Sequence, residues 1–156
     1  MSPSRRRLAH WCLILGFAWP PLLTGCGGSR SDLGPVRGNI KLDGQPLADA
    51  LVEFIPQGER GVVSLGRTDT GGNYEMMATR TARGASRGLN KVRITTYDIL
   101  DLGGKQKVVR ERVPTKYNSA TELTVTVESR SNLFNFDLNS AGGKIEKASE
   151  SPARIQ

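Results

Sequence analysis

The chain has 156 residues, 37% of them hydrophobic and 24% charged, with 22 Lys and Arg against 15 Asp and Glu and a formal net charge of +7. This is one domain of ordinary size, too polar for a multi-span membrane protein and not biased enough for a wholly disordered one. His10, Trp11, Cys12 and Trp19 all fall in the first 19 residues; a mature chain without that segment has no His-based acid–base group, no Cys–His nucleophile, no Cys/His zinc site and no internal disulfide.

The first element reads as an address. Arg5, Arg6 and Arg7 form a positive region ahead of a 16-residue apolar run, Leu8 to Leu23, broken by Pro20 and Pro21. A spanning helix needs about 20 apolar residues, so the run suits the core of a signal peptide. Leu23–Thr24–Gly25–Cys26 resembles the lipobox of bacterial lipoprotein precursors. The resemblance implies a lipoprotein signal peptide over 1–25, cleavage before Cys26, and S-diacylglycerol with N-acylation on Cys26. The thiol is the nucleophile that a thioether requires, and two or three acyl chains give stable anchoring where one does not. It also implies export, with membrane lipid as the partner of Cys26; Gly27, where some inner-membrane lipoproteins have Asp, favours the outer membrane by analogy. Cleavage removes three arginines and no acid, leaving 19 basic against 15 acidic side chains, or +4. No nucleic-acid partner is expected of an exported protein with so modest a charge.

Residues 26–35 are small and polar and read as a flexible tether. The span 36–138 then reads as β throughout. Val36, Gly38, Ile40 and Leu42 alternate with polar residues, Asp43–Gly44 marks a turn, and Ala50, Val52 and Phe54 share the next buried face up to Pro56. Val62 to Thr68 is a third strand, Asp69 to Asn73 a turn, and Tyr74, Met76 and Ala78 a fourth strand. A loop spans 79–88, followed by a strand with Val92, Ile94 and Thr96 on one face. Residues 98–122 show no regular pattern. Leu123, Val125 and Val127, then Phe134, Phe136 and Leu138, complete seven short strands, for which a Greek-key β-sandwich is the expected architecture. Residues 139–156 hold only Ile145 and Ile155 as large apolar residues and read as a disordered tail.

The run Val36 to Pro56, with its Asp43-Gly44-Gln45-Pro46-Leu47 turn and Ala50-Leu51-Val52-Glu53-Phe54 strand, resembles the opening of carboxypeptidase regulatory-like domains. Thr68–Asp69 with Gly72–Asn73–Tyr74, and Gly88 with Lys91–Ile94, are similar to that family's later turn and strand. Val113–Asn118 and the closing Phe134–Leu138 look like small exported lipoproteins built on the same domain. The resemblance implies a transthyretin-like seven-stranded sandwich that serves as a non-catalytic accessory or surface module; from the residues themselves no cofactor or metal is expected.

Few residues carry candidate chemistry. Arg80, Arg83 and Arg87 lie in one loop, and Lys105, Lys107, Arg110 and Arg112 form a second basic run. Either could contact anionic envelope polymers or phospholipid headgroups, or simply be solvated. Asp69 to Asn73 has oxygen ligands at alternate positions but lacks the further acids of a calcium loop. Two alternatives to an accessory role stay open: a glycan-binding module, which needs exposed aromatics around Tyr97 or Tyr117, and a small hydrolase using paired carboxylates.

Overall fold

The computed structural model describes residues 32–141 and 143–145. The signal peptide, Leu23, Thr24, Gly25, Cys26, most of the tether and residues 146–156 lie outside the described residues. The described chain is all-β, with thirteen strand segments, no α-helix, and a 3-10 turn at Thr115–Tyr117.

Two sheets face one another. The first is antiparallel, in the order β11 (Thr124–Val127), β8 (Gly88–Thr95), β4 (Leu51–Pro56), β5 (Ser64–Arg67). The second is built on β2 (Val36–Leu42). On one side it pairs antiparallel with β3 (Gln45–Pro46) and β6 (Asn73–Glu75); on the other it pairs parallel with β12 (Asn132–Leu133) and β13 (Phe136–Leu138). Alternation supplies the core. Val36 and Ile40 from β2 meet Val52 and Phe54 from β4 and Val92 and Ile94 from β8, all of them buried. The Phe54 and Phe134 rings, 6.0 Å apart, join the two layers. The β-sandwich class expected from the period-two pattern is what the chain forms.

Several boundaries differ from the sequence reading, each for a physical reason. β1 (Leu33–Gly34) lies within the stretch read as tether, yet it pairs with β7 (Ala85–Ser86), itself within the stretch read as loop. Gly34 permits this, because a Cβ there would stand 2.0 Å from the Glu128 carbonyl oxygen. The sandwich also runs past 138: Ser140 donates from its backbone and hydroxyl to Asp43, and the Thr115 N–H bonds the Lys144 carbonyl. The third strand turns its polar residues inward. Ser64, Gly66 and Thr68 are buried while Val62, Val63 and Leu65 are exposed, since a Cβ at Gly66 would approach the Glu75 carbonyl and the Met76 sulfur to 2.9 Å.

The last expected strand, Phe134 to Leu138, begins only at Phe136 as β13, and a separate short strand, β12, precedes it. Between them the Asn39 N–H bonds the Asn135 side-chain oxygen at 2.9 Å, and the Tyr74 hydroxyl donates to the Phe134 carbonyl at 2.8 Å. Side chains thus carry the ladder across the gap. The irregular 98–122 segment holds a hairpin, β9 (Asp98–Asp101) with β10 (Gln106–Val109), which belongs to neither main sheet.

Candidate functional site

The two basic runs do not form one patch. Arg87 immediately precedes β8 and the β9–β10 hairpin follows it, so the eight residues of β8 separate them by about 27 Å at the rise of an extended strand. Leu33 pairs with Ser86, so the chain enters the sandwich at the Arg87 end. Two of the arginines have partners on the protein, although both remain exposed. Arg83 reaches Glu75 at 2.5 Å, and Arg112 donates to the Ala48 carbonyl at 2.8 Å. Arg80, Arg87, Lys105, Lys107 and Arg110 are exposed.

The hairpin is the feature that sequence reasoning missed. Gly103 and Gly104 take φ of +69° and +87°, the left-handed pair of a two-residue hairpin turn. The Leu102 N–H bonds the Lys105 carbonyl at 2.8 Å, and the Gly104 N–H bonds the Asp101 carboxylate at 2.8 Å. The signal was present as Gly103–Gly104 between Ile99–Leu100 and Val108–Val109. The hairpin leaves Ile99, Leu100, Leu102 and Val108 exposed.

The acidic groups that the fold perturbs serve structure. Glu111 accepts from Thr95, from the backbone and hydroxyl of Thr96, and from the backbones of Arg112 and Val113. Burial pushes its carboxyl up, but the hydrogen bonds from Thr95, Thr96 and Val113 outweigh that and hold it below the ordinary range. Asp69 accepts from Asn73 and from the Gly71 N–H, and these bonds lower its pKa, those of Asn73 most. Both its oxygens are engaged within a hairpin turn. Asp43 is lowered by the hydroxyl and then the N–H of Ser140. A general acid for glycoside cleavage needs a carboxyl held up, the opposite of what these three environments do. Among the described residues, no cluster of three or more His, Cys, Asp or Glu is arranged to hold a metal ion.

The aromatics divide in the same manner. Phe54 and Tyr74 are buried, Phe134, Phe136 and Tyr117 pack against the core, and Tyr97 is exposed. Tyr117 is occupied: its hydroxyl accepts from the Asn139 N–H at 3.3 Å and Lys116 lies 5.0 Å from its ring centre.

Comparison with known proteins adds little. No family model matches the chain, and no curated protein matches it. Among solved structures, it is similar to part of a 9R-lipoxygenase from Cyanothece PCC8801, at 12% identity and a TM-score of 0.41. The match covers 78% of this chain and 20% of that one. At that TM-score the likeness carries no argument about fold or activity. Among the described residues, no helix is long and apolar enough to cross a membrane.

Proposed function

We propose that this chain is a lipid-anchored cell-envelope protein whose β-sandwich is a non-catalytic accessory or binding module at the membrane surface. The observation that carries the reading is Leu23–Thr24–Gly25–Cys26 at the end of a short apolar run preceded by three arginines. A lone thiol among glycines in an exported chain has this chemistry as its simplest use. The absence of Asp after Cys26 favours delivery to the outer membrane, by analogy. The finer fold assignment belongs to the same reading: a transthyretin-like, Greek-key domain of the carboxypeptidase regulatory type. It is supported by the Asp43–Gly44 turn, which has positive φ at both residues, leading into the β3 pairing with β2. Asp43, Asp69 and Glu111 are each held by hydrogen bonds to Ser140, to Gly71 and Asn73, and to the 95–96 and 112–113 segments, which supports a structural use of these three carboxylates.

The test is Cys26→Ala in the full chain expressed in a bacterium. Wild-type protein is expected in the membrane fraction, with an acylated N-terminal cysteine by mass spectrometry, and the variant is expected uncleaved and unacylated. An unmodified Cys26 in membrane-fractionated wild type would overturn the reading.

A further inference from the structure

Among the described residues, the β9–β10 hairpin carries four of the eleven exposed large hydrophobic side chains. Leu102 is 62% exposed, Val108 53%, Ile99 45% and Leu100 39%. Ile99 stands directly opposite Val108, and Leu100 opposite Lys107. Directly opposed residues share a face and successive ones alternate, so apolar side chains project from both faces of the ribbon, with Leu102 at its tip. A two-stranded ribbon standing alone is marginal in water, and apolar side chains clustered on such a ribbon point to a contact that covers them.

We propose that this hairpin is a membrane-contact element: its apolar tip enters the interfacial layer of an anionic phospholipid bilayer while Lys105, Lys107 and Arg110 meet the phosphates. Two observations choose lipid over a protein partner. A flat protein surface covers one face of a ribbon, whereas a fluid interface surrounds both faces and the tip together. The charges also select an anionic medium. The hairpin's two acids are engaged internally, Asp98 by Arg67 at 2.9 Å and Asp101 by the Gly104 N–H. Lys105, Lys107 and Arg110 make no ion pair among the described residues. Basic side chains beside apolar ones reach phosphate while their stems stay in the apolar layer. Insertion is shallow, because both edges of the ribbon carry unpaired backbone groups that the hydrocarbon cannot satisfy. The turn itself offers no obstacle, since nothing lies within 4 Å of a Cβ at Gly103 or Gly104. The inference does not require Cys26 to be acylated.

The test uses the full chain with Cys12→Ser and Cys26→Ser, so that failure of the lipoprotein reading cannot affect it. An environment-sensitive fluorophore is attached at Leu102→Cys and, for comparison, at Leu133→Cys, an exposed site at the other end of the sandwich. With phosphatidylcholine vesicles containing phosphatidylglycerol, the probe at 102 is expected to shift blue and gain shielding from an aqueous quencher; the probe at 133 is not. Adding Lys105→Glu and Lys107→Glu should raise the lipid concentration needed for the shift by at least about thirtyfold, and raised salt should weaken it also. A probe at 102 that stays open to the quencher while the chain is vesicle-bound would overturn the proposal. So would equal shielding by vesicles of phosphatidylcholine alone. Shielding that grows with protein concentration without vesicles would overturn it in favour of a second copy of this chain.

Discussion

Glu111 shows how one side chain can hold an irregular segment. Its carboxylate gathers two threonine hydroxyls and three backbone N–H groups, and so fixes residues 110–113 to the end of β8 where regular pairing has stopped. Replacing it with Ala leaves those half-buried donors without an acceptor, at a cost of about 2–3 kcal/mol in urea unfolding. Its carboxyl lies below the ordinary range when folded, so the unfolded chain holds the proton more tightly. The stabilisation is therefore complete above the unfolded value of about 4.3 and is lost as pH falls through the lower folded value. Glu111→Gln should accordingly flatten the acid side of the stability profile. Unfolding midpoints measured from neutral pH into acid check this, and an unchanged acid slope would count against the role.

At the scale of elements, β2 is the strand to which the second sheet is fitted. Gly38 sits at its centre, where a Cβ would stand 1.7 Å from the Phe134 carbonyl oxygen and 2.9 Å from the Tyr74 ring. Gly38→Ala must push the 132–138 segment away from β2 and break the Tyr74–Phe134 hydrogen bond. A loss of about 2–3 kcal/mol is expected, with faster amide exchange in β12 and β13 than in β4 and β8. Equal exchange across both sheets would show that the closing strands do not depend on this approach. Asn132 supports the same junction: its side chain donates to Pro35, Glu128 and Arg130 carbonyls and accepts from the Glu128 N–H.

For the whole molecule, the last of the described strands complete the layer built on β2. β12 and β13 pair with β2 across nearly the whole domain, and Phe134, Phe136 and Leu138 cover the core from that side. A chain ending at Glu128 would expose Phe54, Tyr74 and Ile40, and is expected to lose its fixed tertiary packing. Near-ultraviolet circular dichroism checks this; a retained aromatic signal would mean that the first sheet packs without its cover. The opposite ends of β8 also divide the molecule's surfaces. The chain enters at the Arg87 end with Leu33, seven residues after Cys26, while the apolar hairpin lies at the other.

Residues with a strict period of two were legible from sequence alone: Val36 to Leu42, Ala50 to Phe54 and Val92 to Thr96 bury the faces that their alternation predicts. Burial of one sheet face is a local pattern, and local patterns survive in the sequence. The inverted third strand was not legible, because Ser64 and Gly66 face inward only where Glu75 and Met76 approach. Nor were the pairing of β1 with β7, the split between β12 and β13, or the separation of the two basic runs by β8. These depend on which backbones come within hydrogen-bond reach across dozens of residues. By itself the sequence determined the all-β class, the buried faces of the strictly alternating strands and the lipobox-like Leu23–Cys26 motif, since each is written in neighbouring residues. Tertiary structure alone decided the strand order, the partners of Glu111 and Asn132, and the exposure of the hairpin, since contacts between distant segments leave no periodic trace in the chain.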